Sequence, residues 1–198
     1  MRGMHSMRFP GLATAAAAAI AMFSATADAA PKKKYHLELT AVTAKSEVKP
    51  DVARAATPRI EGQVRKLFAS HPQLVAKLEG APDPKTNADG YRRYLTQHAI
   101  SGAYLVTVEV TEASEELEPL EDKTSQRLVI RIGLHMLGET IPGRTMGFAG
   151  DGKATIKQEV GMKIRDRDRE YTWDQAAELA IQDAMKTVFQ QLAAPPKR

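Results

Sequence analysis

Cysteine is absent from the 198 residues. Its absence excludes disulfide frameworks, thiolate zinc sites, a cysteine nucleophile and a lipid-modified cysteine. Aromatic residues are sparse at 6%, with a single Trp. Beyond the N-terminal region, no apolar run reaches the roughly 20 residues a membrane-spanning helix needs. Charge of one sign is lacking too, since 28 Lys+Arg stand against 24 Asp+Glu for a formal net of +4. Nucleic-acid binders usually carry a dense basic stripe. Here the pI of 9.3 comes with basic clusters only near the ends, Lys32-Lys33-Lys34 and Lys197-Arg198, so nucleic acid is not an expected partner. What is present, 43% hydrophobic and 26% charged residues, is the composition of an ordinary globular domain.

Arg2 and Arg8 precede an apolar, alanine-rich run from Leu12 to Phe23, followed by Ser24-Ala25-Thr26-Ala27-Asp28-Ala29. A basic start, an apolar stretch of roughly 12 residues and a small-x-small site make up a secretory signal peptide. Met7 would serve as a start as well as Met1, because Arg8 remains. Cleavage is expected between Ala29 and Ala30, since a cut after Ala30 would place Pro31 directly behind it. The domain plan is therefore a signal peptide over 1–29, one α+β domain over 30–194 and a basic tail over 195–198. Removing 1–29 takes two of the 28 basic and one of the 24 acidic residues, so 169 residues of net charge +3 remain. Export makes the periplasm or the exterior the expected location. A chain of this size can bury roughly 70% of its unfolded surface and hold a core without disulfides.

Tyr35, Leu37, Leu39 and Ala41 alternate with His36, Glu38 and Thr40, which predicts a half-buried strand with His36 on its polar side. Val52, Ala56, Ile60, Val64, Leu67 and Phe68 recur at helical spacing. Pro58 interrupts that register, so the helix is expected to begin with Thr57 as N-cap and Pro58 in its first turn. Ser70-His71-Pro72 opens a short helical turn carrying Leu74, Val75 and Leu78. Tyr91, Tyr94, Leu95 and His98 share one face of a short helix. Tyr104, Val106, Val108 and Val110 form the clearest strand. The stretch 112–122 holds six carboxylates in eleven residues and Pro119, and reads as a loop. Leu128, Ile130, Ile132, Leu134 and Met136 line one side of a third strand, with Arg127, Val129, Arg131 and His135 on the other. Gly138 to Gly143 turn the chain into a glycine-interrupted strand over 145–160. Thr172 as N-cap, with Gln175 three residues on, opens a last helix carrying Ala177, Ile181, Ala184, Met185, Val188 and Leu192 on one stripe. The order predicts an α/β or α+β domain with a mixed or mainly antiparallel sheet of three to five strands and two main helices.

Gly147-Phe148-Ala149-Gly150-Asp151-Gly152-Lys153 matches the glycine-lysine part of a phosphate-binding loop. Ala154, however, replaces the Ser or Thr that would hold magnesium, and the segment continues as strand rather than opening a helix. The glycines are better explained by a bulge or tight turn. Asp166-Arg167-Asp168-Arg169-Glu170 spaces carboxylates as a calcium loop begins, but the arginines neutralise it and the loop glycine is missing, which leaves a solvated connector. His36, His71, His98 and His135 show no metal spacing. There is no nucleophile elbow and no Ser-x-x-Lys. No cofactor or metal is expected from these motifs. Trp173 is expected to pack on the sheet.

The strand carrying Gly102-Ala103-Tyr104-Leu105-Val106, the strand over 127–137, the segment 147–155 and the alanine-rich helix over 172–192 together resemble envelope-assembly domains. These include curli-secretion lipoproteins, the outer-membrane lipoprotein activator of penicillin-binding proteins, and the N-terminal domain of the Tol-system periplasmic protein. The resemblance spans roughly residues 99 to 192 and implies a non-catalytic adaptor role. The chain departs from the lipoproteins in having no lipid-attachment cysteine.

The leading expectation is an exported binding or adaptor domain for a protein partner or envelope component. A secreted hydrolase would instead bring together at least two of His36, His71, His98, His135, Asp151 and Asp166 in a deep pocket. A calcium-responsive protein would bind the ion through Glu112 to Asp122.

Overall fold

The computed structural model describes residues 33–121 and 124–194. The expected signal peptide, its cleavage point at Ala29 and Ala30, Asp122 and the basic tail 195–198 lie outside the described residues. The elements follow as β1 (Lys34–Ala44), α1 (Pro50–Ser70), α2 (Ala88–Gln97), β2 (Ile100–Pro119), β3 (Ser125–Thr140), β4 (Met146–Gly161) and α3 (Asp166–Ala193). Their strands form one sheet in the order β1-β2-β3-β4. β1 runs parallel to β2, because the helical connection between them carries the chain back across the sheet. β2, β3 and β4 pair antiparallel through short connections. The result is a single α+β domain with a mixed sheet and three helices, as the sequence pattern predicted.

The alternation in β2 and β3 places Val106, Val108 and Val110 beside Leu128, Ile130, Ile132, Leu134 and Met136, all nearly fully buried. α1 covers this inner face with Ala56, Ile60, Val64 and Phe68, and α3 with Trp173, Ala177, Ile181, Ala184, Met185 and Val188. Each large aliphatic side chain so buried stabilises the fold by roughly 1.5–3 kcal/mol. The Tyr35 hydroxyl donates to the Leu192 carbonyl at 2.8 Å, joining the first strand to the end of the last helix.

Gly150 and Gly152 lie within continuous β4, not in a turn or bulge. A Cβ at Gly150 would stand 2.8 Å from the Ala184 carbonyl oxygen, and one at Gly152 would collide with the Ala180 carbonyl. Close approach of α3 is what requires them. α3 also reaches over the outer edge of β4. The Lys153 N–H donates to Asp183 Oδ2 at 3.1 Å, and the Ala149 N–H donates to Gln191 Oε1 at 3.1 Å. Gln191 Nε2 donates back to the Ala149 carbonyl at 2.5 Å.

Several local expectations are corrected. α1 begins at Pro50, so Pro58 is interior and Thr57 is not its cap. Pro58 and Arg54 are both exposed, so the carbonyl that loses its bond to the proline nitrogen can turn to water. The segment after Ser70 is not a helical turn. It lays Leu74 against Tyr35 as a parallel bridge, and it buries His36, whose Nδ1 meets the Val75 carbonyl at 2.7 Å. α3 begins at Asp166, so the run Asp166 to Glu170 is its first turn, where acidic side chains oppose the helix dipole favourably. Thr172 sits inside the helix, its hydroxyl donating to the Asp168 carbonyl. α2 is capped by Asn87, whose Oδ1 accepts from the Gly90 N–H. It packs with residues 75–81 around Tyr91, Leu95, Ile100 and Ala103 as a separate small cluster.

Candidate functional site

Among the described residues, the side of the sheet opposite α1 and α3 is covered by α2 and its neighbours only near Ala103. Beyond that point the strand register sets out the outward-pointing side chains in rows across β2, β3 and β4. Glu109, His135 and Asp151 form one row, Ser114, Arg131 and Thr155 another, and Glu116, Val129 and Lys157 a third. A register shift between Val110 and Glu112 turns Glu112, Ser114, Glu116 and Glu118 outward and Glu115 inward.

The acidic stretch is therefore strand through Pro119, not loop. Its carboxylates are held by arginines that follow in β3 and α3. Arg131 Nη1 lies 2.7 Å from Glu116 Oε1, and Arg127 Nη1 lies 3.5 Å from Glu118 Oε2. The hydrogen bond from Arg131 and its charge hold the Glu116 carboxyl below its ordinary value. Such exposed pairs order the surface more than they stabilise the fold. Between them, Val129 is fully buried although it points outward.

On the inner side, Glu115 accepts from the Trp173 indole N–H at 2.9 Å and from Arg169 Nε at 2.8 Å. This seats Trp173 against the sheet, as expected. Arg59 lies 3.2 Å from Asp174, and a cavity of about 430 Å³ beside these residues is also lined by Lys49 and Asp51. The role of Glu115 was not visible in the sequence. The one signal for it is a carboxylate at an inward position ahead of a Trp and an Arg on a helix.

Of the residues proposed for a hydrolase, only His135 and Asp151 meet, Nδ1 to Oδ1 at 2.6 Å. They do so on the open face of the sheet, where the Asp151 side chain is 77% exposed. His71 stacks on Phe189, His98 stacks on Tyr94, His36 is held by Val75, and Asp166 lies at the start of α3. The row of His135 and Asp151 adds Glu109 and no hydroxyl, so it supplies a base and its orienting carboxylate without a nucleophile. Among the described residues no group of three or more His, Cys, Asp and Glu is placed to hold a metal ion. In the acidic stretch Glu115 points to the inner side and Glu112, Glu116 and Glu118 to the outer, where Glu116 and Glu118 are each paired with an arginine. Among the described residues, no helix is long and apolar enough to cross a membrane.

No protein-family description matches the chain, and no curated protein does. Solved structures are similar at low identity. A homolog of a neuraminyllactose-binding hemagglutinin from Helicobacter pylori is 9% identical over 82% of this chain and 88% of its own, with a TM-score of 0.44. The minor lipoprotein from Acinetobacter baumannii is 15% identical over 83% of this chain and 98% of its own, at 0.37. The rare lipoprotein B from Shewanella oneidensis is 14% identical over 78% of this chain and 97% of its own, at 0.39. Bacterial lipoproteins are thus among the solved structures to which this cysteine-free chain is similar.

Proposed function

We propose that the chain is an exported, non-catalytic binding domain of the bacterial cell envelope that docks a protein partner on the open face of its sheet. The observation that carries this reading is the face itself. Three long strands present ordered rows of mostly charged and polar side chains, and among the described residues no helix covers them beyond the patch near Ala103. The N-terminal signal pattern supports export to the periplasm or beyond. The hydrolase reading would have to recruit its nucleophile from outside the Glu109, His135 and Asp151 row.

Site-specific photo-cross-linking in cells tests the proposal. A benzophenone side chain at Thr155 or Lys153, on the open face, is expected to give a discrete adduct with an envelope protein. The same group at Glu178 on α3 is expected to give none. Equal labelling from both faces, or none from the sheet, overturns the proposal. Mass spectrometry of the exported chain is expected to find Ala30 at its N-terminus.

A further inference from the structure

β1 is an edge strand, and among the described residues only its first residues have a neighbour on the outer side. The Tyr35 N–H donates to the Gln73 carbonyl at 2.9 Å, and the Val75 N–H donates to the Tyr35 carbonyl at 2.8 Å. This short added strand runs parallel to β1. The next bond of such a ladder would join the Leu37 N–H to the Val75 carbonyl, but that carbonyl is taken by His36 Nδ1. The chain then leaves the edge. The register with β2 is unbroken from Tyr35 to Leu39. By strand alternation, Leu37 and Leu39 therefore turn their N–H and C=O groups to the same outer side as Tyr35.

A groove of about 350 Å³ follows this edge, walled by Arg65 and Phe68 of α1 on one side and by Ala76 and Lys77 on the other. Its floor is apolar, with Leu37, Leu39 and Phe68 all buried. Arg65 is already paired with Glu61 at 2.8 Å. Lys77 has no ion-pair partner among the described residues, and neither has the exposed Glu38, which also lines the groove, so the rim carries one unspent charge of each sign. Walls on both sides and the register shift at Thr40 leave room for one short strand. A second copy joined sheet to sheet would gain far less contact here than the roughly 1,200–2,000 Å² of a stable interface.

We infer that the β1 edge binds a single extended segment of a protein partner by strand addition, running parallel to β1 and setting a carboxylate against Lys77 and a basic side chain against Glu38. This inference rests on the binding-domain reading and names a second contact for it. Main-chain bonds to Leu37 and Leu39 supply the attachment, and the groove, Lys77 and Glu38 supply the selection.

The test uses an acetylated, amidated heptapeptide in which Val alternates with Glu and Lys, added to the ¹⁵N-labelled protein. At about 1 mM peptide, a concentration matched to a weak strand addition, the Leu37 and Leu39 amides are expected to exchange several-fold more slowly. Resonances of Ala76 and Lys77 are expected to shift. The same peptide N-methylated at every second residue, on the edge that faces β1, is expected to do neither. Lys77→Glu is expected to weaken binding about tenfold, and Ala76→Trp, which fills the groove from its exposed rim, is expected to abolish it. Unchanged Leu37 and Leu39 amides, equal binding of the methylated peptide, or shifts confined to Thr155 to Glu159 on β4 overturn the inference. Because the assay uses purified protein, its failure leaves the cross-linking result on the open face standing.

Discussion

At Gly152 a single added methyl group would meet the backbone of α3 at Ala180, and backbone cannot rotate aside as a side chain can. Gly152→Ala is therefore expected to destabilise the fold by about 3 kcal/mol, the upper part of the range for overpacking. At Gly62, within α1, an added Cβ meets nothing within 4 Å. Gly62→Ala is expected to stabilise by about 0.5–1 kcal/mol through helix propensity and a less flexible unfolded chain. Urea unfolding of the two variants measures both, and equal effects would refute the packing explanation for β4. Tyr91 makes a different residue-scale prediction. Burial, then the Glu38 carboxylate and Tyr94, push its phenol from 10.0 to about 12. Because the folded value is the higher one, the folded state holds this proton more tightly. Its contribution is fully present below about pH 10 and is lost as pH rises through about 12. Phenolate absorbance is expected to show one tyrosine titrating near pH 12, and Glu38→Gln is expected to lower that midpoint.

At the scale of elements, what the sequence revealed depended on where each partner lies along the chain. The strands around Val106 and Ile132 carry their own evidence, because alternation is local and one side is uniformly apolar. The acidic stretch does not. Its like charges argue for a loop until Arg127, Arg131 and Arg169 are placed beside them, and those arginines are adjacent only once β3 and α3 have folded. His36 reads as polar surface because the segment that buries it, 73–75, pairs with β1 from nearly 40 residues away. Gly150 and Gly152 read as turn residues because the helix that needs them close is 30 residues downstream. The same distance hides how β4 is protected. A long edge strand is a template for pairing with other chains, and Asp183 and Gln191 occupy part of its bonding capacity from α3. The double variant Asp183→Ala with Gln191→Ala is expected to keep the fold yet scatter more light on incubation at high concentration. Unchanged scattering would show that the charges on β4 suffice.

For the molecule as a whole, the core is unequally shared. β2 and β3 lie between other strands and contribute the fully buried Val106 to Val110 and Leu128 to Met136, beneath both long helices. α2 and residues 75–81 pack instead on their own cluster of Tyr91, Leu95, Ile100 and Ala103, and their attachment to β1 is the short strand at Gln73 to Val75. A region held by a small separate cluster opens at a lower free energy than the core it borders. Native-state hydrogen exchange is therefore expected to divide the amides into two sets. Those of Val108, Val110, Ile130 and Ile132 should exchange only through global unfolding, with the full dependence on denaturant. Those of Val75, Tyr91 and Leu95 should exchange through a smaller opening that depends weakly on denaturant. If both sets merge on one isotherm, the segment beside the β1 edge is as stable as the sheet. If they separate, the wall carrying Ala76 and Lys77 can yield without unfolding the domain, and an incoming strand can enter the groove while β2, β3 and α3 stay folded.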